Sequence, residues 1–316
     1  MKRFMVAAGI IAGIAFGAAV AQTKPTIPVI VKDLTSPYWR AVLAGARKAG
    51  QDLGVNVVGF GTSDANGQIG ILATAVASNP AAIVIAPADF AALGKPIDEA
   101  AKKVKIIGLE SAADTQAMTS LLAIDNVNAG RIAADALAAA ITKSFADTEG
   151  DVAIITSVPG DGSLEQRAKG FKDVVAAKYR ALNIAADKVA DGTPASVREI
   201  MKDLIAKDSD LRGVFVSDPT TAEVVAQAVS EKTTGDQINI VAFGSDENLV
   251  KLLQGDGIAG IVVEDPFRMG YEGVKTALAA SKGEHVSTNV DTGVVVVTKA
   301  TLSSTRSQEL LNPKIQ

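Results

Sequence analysis

The sequence has no cysteine, one histidine, one tryptophan and three tyrosines in 316 residues. The missing cysteine excludes disulfides, thiolate metal sites, a cysteine nucleophile and a lipid-modified N-terminal cysteine. The sole histidine, His285, sits in the polar segment Lys282-Gly283-Glu284-His285 and reads as a surface-loop residue. A Ser-His-Asp triad would have to use it, and no G-x-S-x-G elbow accompanies it. A zinc site lacks its second histidine, and no acidic calcium loop of the EF-hand kind is present. Basic residues are also in short supply, 31 Lys and Arg against 35 Asp and Glu, so the positive face that a nucleic-acid partner requires is missing. Aromatics are 4% of a chain that is 48% hydrophobic, which leaves Ala, Val, Ile and Leu to build the core. Helices packed closely on parallel strands require that composition.

One apolar run is long, and it stands at the start. Lys2 and Arg3 precede an apolar stretch over 6–20 that ends in Ala19-Val20-Ala21, the pattern of a cleavable secretory leader over residues 1–21. Cleavage there would release a soluble chain from Gln22 and leave 29 basic residues, 31 less Lys2 and Arg3, against 35 acidic ones. No later run is long enough to span a bilayer. Without a lipid anchor, retention calls for an outer membrane, so the periplasm of a Gram-negative bacterium is expected.

Past the leader, β-branched runs at 27–31, 55–60, 82–86, 105–109, 152–156, 214–217, 238–243 and 258–263 read as strands. Helical patterns lie between them at 38–53, 67–77, 91–102, 128–143, 164–177, 197–206 and 220–229. Strict alternation with long crossovers specifies an α/β fold with parallel sheets covered by helices on both faces. The acidic stretch Asp147–Asp151 closes a first train and 152–156 opens a second, giving two similar Rossmann-like lobes. Asp265-Pro266-Phe267 then leads into a further helix reaching about residue 280.

Ligands in such folds sit at the carboxyl ends of the strands. The first strand ends in Lys32 and runs through Thr35-Ser36-Pro37-Tyr38-Trp39, where Pro37 suits a first helical turn and Ser36 a cap. Tyr38 and Trp39 either pack the helix on the sheet or stack on a sugar ring. Two adjacent rings at a sheet edge in so aromatic-poor a chain favour stacking. Lys32 is a solvated loop lysine or a donor to a ligand oxygen. Other strand ends carry Asp89, Glu110, Asp125-Asn126, Asp218, Ser245-Asp246 and Glu264. Each alone reads as a loop or cap residue, but their recurrence suits a cleft that holds hydroxyls by charge-assisted hydrogen bonds. Arg167, after the loop Val158-Pro159-Gly160-Asp161-Gly162, either grips a ligand or pairs with Glu165 or Asp161. The glycines of that loop make no phosphate-binding motif.

Taken together, the SPYW turn over 36–39, Pro87-Ala88-Asp89, Asp125-Asn126-Val127, Gln166-Arg167-Ala168-Lys169-Gly170-Phe171, Ala242-Phe243-Gly244 and Asp265-Pro266 resemble a known family over nearly all of residues 27–299. It is that of the type I periplasmic sugar-binding proteins of ABC importers, the ribose-binding-protein group. The resemblance implies lobes linked by three hinge crossings near Ile124, Glu264 and Gly293. It divides the chain into a leader (1–21), a first lobe (22–124 with 265–293) and a second lobe (125–264 with 294–316). It also implies a site of Lys32, Ser36, Tyr38, Trp39, Asp89 and Glu110 on the first lobe, with Arg167, Asp218, Phe243 and Glu264 completing it. Against the family pattern, Asp218 replaces the common Asn, Glu264 the common Gln and Gly244 an Asp, while Glu110-Ser111 replace an Asp-Arg pair. These departures point away from ribose itself, and several acids against Lys32 and Arg167 point to a neutral monosaccharide or polyol rather than a sugar phosphate, because unpaired like charges in a closed cleft cost several kcal/mol. The expected protein is a monomeric binding protein without cofactor or metal, delivering its ligand to an inner-membrane ABC permease. The alternatives are a sensor that presents a ligand such as autoinducer-2 to a chemoreceptor or sensor kinase, and an exported carbohydrate-active enzyme.

Overall fold

The structure, a computed structural model, describes residues 24–157, 162–232 and 237–311. The leader and most of the 158–162 loop lie outside the described residues. β1 (Thr26–Val31), α1 (Pro37–Leu53), β2 (Asn56–Gly61), α2 (Ala65–Ala77), β3 (Ala82–Ile85), α3 (Phe90–Ala101), β4 (Lys105–Leu109) and β5 (Ser120–Ala123) come first. Then follow α4 (Asn126–Phe145), β6 (Gly150–Thr156), α5 (Gly162–Lys178), β7 (Leu182–Val189), α6 (Pro194–Lys207), β8 (Leu211–Val216), α7 (Pro219–Ser230), β9 (Asn239–Phe243), α8 (Glu247–Gln254) and β10 (Gly260–Glu264). α9 (Pro266–Ser281), β11 (Asn289–Asp291), β12 (Val294–Val297) and α10 (Thr305–Leu311) end the chain.

The strands form two six-stranded sheets with matching order, β2-β1-β3-β4-β5-β11 and β7-β6-β8-β9-β10-β12. Each sheet with its helices is a lobe. Neighbours are parallel except β12, which runs antiparallel to β10. Central strands such as β3 are buried along their whole length, as expected for strands covered on both faces. In this order the winding reverses between β1 and β3 and between β6 and β8, and the loops leaving there open a crevice at the carboxyl edge. The fully buried Gln68 braces that point in the first lobe. Its side-chain amide donates to the carbonyls of Val31 and Ala86 and accepts from the Ala88 N–H.

The chain changes sheets three times, at residues 123–126, 264–266 and 291–294. Asp291 Oδ1 accepts the N–H groups of Asp125 (3.0 Å) and Gly293 (2.8 Å), tying the first and third passages together. Glu264 pairs in register with Val294, which sets the second passage beside the third. The Asp147–Asp151 stretch is an ordinary turn before β6, since α4 already packs on the second sheet.

Two helix pairs hold the passages in place through glycine. A Cβ on Gly45 of α1 would fall 1.9 Å from the Phe267 carbonyl oxygen in the first turn of α9, and one on Gly270 1.9 Å from that of Val42. In the second lobe a Cβ on Gly170 would fall 1.8 Å from the Val127 oxygen in the first turn of α4, and one on Gly130 1.9 Å from that of Arg167. Backbone thus lies directly on backbone where each connecting helix begins.

Six elements escape the sequence pattern: β5, β7, β11, β12, α8 and α10. β5 and β11 are too short for a periodic signal, and β7 (LNIAADKV) is a half-exposed edge strand poor in β-branched residues. Gly130→Ala should force α4 and α5 apart and destabilise the fold by about 1–3 kcal/mol, read as a lower urea midpoint with an unchanged far-UV spectrum.

Candidate functional site

The carboxyl edges of both sheets carry the sequence-derived residues, and the turns decide which side chains face inward. Asp89 and Asp218 are N-caps: Asp89 Oδ1 accepts the Ala92 N–H of α3 and Asp218 Oδ1 the Thr221 N–H of α7. Asp64, Asp125, Asp246 and Asp265 do the same for their helices. Much of the recurrence of acids at strand ends is therefore helix capping. Asp89 is exposed, whereas Asp218 keeps its second oxygen buried and, among the described residues, without a hydrogen-bond partner. The neighbouring Ser217 hydroxyl is buried and has no partner among the described residues either.

Glu110 and Glu264 cap nothing. Glu110 follows β4 with φ at 61°, a left-handed conformation that is strained for a residue with a side chain, and its carboxylate takes the Lys32 ammonium at 2.5 Å. Lys32 also lies 5.8 Å from the centre of the Trp39 ring. Trp39 itself is only 8% exposed and packs in the first lobe's core, edge-on to Tyr38 at 4.9 Å. Ser36 stands at the N-cap of α1, where its hydroxyl makes no capping bond.

Glu264, the last residue of β10, joins the two lobes. Tyr38 of α1 donates its hydroxyl to Glu264 Oε2 at 2.8 Å, and Arg167 of α5 places Nη2 3.6 Å from Oε1. Arg167 is held from three further directions. Its Nε donates to Asn126 Oδ1 (2.8 Å), its Nη1 to the Ser217 carbonyl (3.0 Å), and its guanidinium lies on the Phe243 ring, 3.5 Å from the centroid. Burial raises the Glu264 pKa above the ordinary carboxyl value; Arg167 opposes the shift, and Glu110 adds to it while Lys32 counters it. Burial likewise keeps the Tyr38 hydroxyl protonated well above its usual range, with the Glu264 and Glu110 charges reinforcing the effect.

The structure thus brings Lys32, Tyr38, Glu110, Arg167, Phe243 and Glu264 together and sets Ser217 and Asp218 at the crevice of the second lobe. It leaves Asp89 as a cap on the first lobe's rim and Trp39 as a wall behind Tyr38. Sequence reading named Asn126 among the polar strand-end residues but left it out of the site, and it missed Ser217, although both stand directly at a strand-to-helix turn. Among the described residues no group of acids and histidines is arranged to hold a metal ion. No helix among them is long and apolar enough to cross a membrane.

Two sheets of matching order meeting at their carboxyl edges, with polar side chains from both, is an arrangement seen elsewhere. The family model "Periplasmic binding protein domain" matches residues 27–285. The chain belongs to that family. It is 25% identical over 301 residues to the ribose import binding protein of Escherichia coli K12, covering 95% of this chain and 99% of that one. A solved carbohydrate-transporter solute-binding protein from Agrobacterium radiobacter, in complex with D-arabinose, is 54% identical with a TM-score of 0.75, covering 92% of this chain and all of that one. An Agrobacterium vitis solute-binding protein with bound D-fucose is 29% identical with a TM-score of 0.70, covering 90% of this chain and 99% of the other. The periplasmic binding protein described here is accordingly a sugar-binding component of an ABC transporter, and not an enzyme.

A carboxyl whose pKa is higher in the folded chain than in the unfolded one gives the native state the extra proton between those two values, so stability falls as pH rises through them. Glu264→Gln cannot ionise and keeps an acceptor for Tyr38. It should melt above the wild type at about pH 8, and the gain should disappear at about pH 3.5, below the unfolded-state value of a glutamate. Melting curves at both pH values check the sign.

Proposed function

We propose that the cleft captures a small neutral monosaccharide or polyol in the periplasm of a Gram-negative bacterium, after removal of residues 1–21, and delivers it to an inner-membrane permease. The carrying observation is the pairing of both cleft cations: Lys32 with Glu110 and Arg167 with Glu264. A phosphorylated sugar would bring two further negative charges to groups already neutralised, whereas hydroxyls can share these pairs by charge-assisted hydrogen bonds. Lys32, Ser36, Tyr38, Trp39, Asp89, Glu110, Arg167, Asp218, Phe243 and Glu264 remain our proposed ligand set, with Ser217 added. D-arabinose is the first candidate, on the strength of the 54% identity to a relative that holds it.

In this reading the lobes, residues 22–124 with 265–293 and residues 125–264 with 294–316, swing about the three passages. Contacts made to both at once favour the closed state. The passages all lie at the β5/β11 and β10/β12 edges, so the cleft opens toward β2 and β7. Leu34 (49% exposed) beside Gly61, Phe90 (60%) after β3 and Val189 (54%) at the end of β7 are exposed large apolar side chains on that rim. We assign the rim to the permease.

A thermal-shift panel of D-arabinose, D-ribose, D-fucose, D-tagatose, a sugar phosphate and autoinducer-2 tests the reading. A neutral sugar at about 100 times its dissociation constant should add about 2.7 kcal/mol, and the sugar phosphate nothing. A folded protein that no neutral sugar stabilises would sink the proposal, and a response to autoinducer-2 alone would transfer it to signalling. Arg167→Ala should weaken sugar binding about tenfold or more, since it removes a charged donor shared by Glu264, Asn126 and Ser217. Calorimetry showing unchanged affinity would take Arg167 out of the site.

A further inference from the structure

An ion pair outside the cleft joins the lobes at the same passage that carries Glu264. Arg306 of α10 donates from Nη2 to Asp265 Oδ2 at 2.6 Å. α10 belongs to the second lobe: Leu310 and Leu311, with Leu302 before the helix, pack in the core that holds Ile261 and Val263 of β10. Asp265 belongs to the start of α9, which packs in the first lobe through Met269, Val274 and Ala277. Asp265 is 6% exposed and its other oxygen caps α9 by accepting the Arg268 N–H at 2.9 Å. One carboxylate therefore both starts the first lobe's helix and receives the second lobe's arginine. It follows Glu264 directly in the chain, so whatever fixes Asp265 restricts the backbone that aims Glu264 at Tyr38 and Arg167.

We propose that Arg306 is a positioning residue for sugar capture, clamping the 264–266 passage from outside so that Glu264 stays aimed into the cleft and the lobes sample a narrower range of angles. The proposal rests on the sugar-binding reading, but Arg306 has no place in the ligand set. Without the clamp the passage gains freedom that binding must then remove, and apparent affinity falls with the population of the competent state. Half of Arg306 is in water (side-chain exposure 48%), which limits the pair to the range of partly screened ion pairs. The expected loss is about threefold in affinity.

The absence of cysteine allows a clean interlobe ruler. Spin labels on Glu99→Cys in α3 and Lys202→Cys in α6, both exposed, report the distance between lobes by double electron–electron resonance. Arg306→Gln should broaden that distribution without sugar and bind D-arabinose about threefold more weakly by calorimetry, with the far-UV spectrum unchanged. Arg306→Lys, which keeps the charge, should recover most of both effects. An unchanged distance distribution in Arg306→Gln overturns the proposal, whatever the melting temperature or affinity does. Failure of the wild-type protein to bind D-arabinose would instead count against that ligand, and the label distances would still decide the role of Arg306.

Discussion

Backbone lying on backbone at four glycines is the constraint on which the rest of this structure depends. A chain that passes three times between two lobes needs each connecting helix to be fixed to its new lobe within a turn, or the passage has no defined direction. Phe267 and Val127, the residues whose carbonyls touch Gly45 and Gly170, stand in the first turns of α9 and α4. Gly270 and Gly130, one turn on, return the contact to α1 and α5. The two pairs are equivalent in the two lobes, since α1 and α5 each follow the first strand of their sheet. Any side chain there would hold the helices apart, because interiors are packed too tightly to absorb a methyl group against a carbonyl. One of these contacts lands on Arg167 itself, so the register of α5 against α4 sets the position of the guanidinium in the cleft.

With the helices fixed, the cleft can hold charge that a mobile site could not. Glu264 is a buried carboxylate with one oxygen on a tyrosine and the other at 3.6 Å from a guanidinium, and its raised pKa shows that burial outweighs those contacts. Such a group adds nothing to stability, and its value lies in orientation. Lys32 and Glu110 make the corresponding pair on the first lobe, held there by the strained backbone of Glu110. The Glu110 and Lys32 charges also act on Glu264, in opposite directions and less than its burial and Arg167 do. The cleft is one coupled charge system with both cations matched by anions.

The alternation of strands and helices, the matching halves and the residues at strand ends were legible because central parallel strands are continuous apolar runs and the turns after them have fixed chemistry. Three of the four edge strands were not: β7 exposes most of one face, and β11 and β12 gain their place only by pairing across a passage, whereas the edge strand β2 was read. Nor could sequence tell which strand-end acids also cap helices. Asp89 and Glu110 look alike as strand-end acids, and only the structure shows that one Asp89 oxygen caps α3 while Glu110 pairs with Lys32. Gln68 gave no signal at all, being a polar residue within a helical pattern whose partners are three backbone groups at the end of β1 and just after β3.

The departures from the family pattern in the second lobe become coherent once Gly244 is placed. Its φ of 133° suits glycine alone, and a Cβ there would fall 2.5 Å from the Pro219 ring, so the aspartate that the resemblance implies at this position has no room. Polar contact in the second lobe must then come from elsewhere. The nearest unsatisfied groups are the Ser217 hydroxyl and Asp218 Oδ2, both buried and lacking a partner among the described residues. Buried polar atoms left unpaired are expensive, and a ligand hydroxyl meeting them relieves that cost while an analogue lacking the hydroxyl does not. On the proposed reading, selectivity in this lobe therefore rests on two orphaned atoms beside Arg167, in place of the carboxylate that Pro219 has displaced.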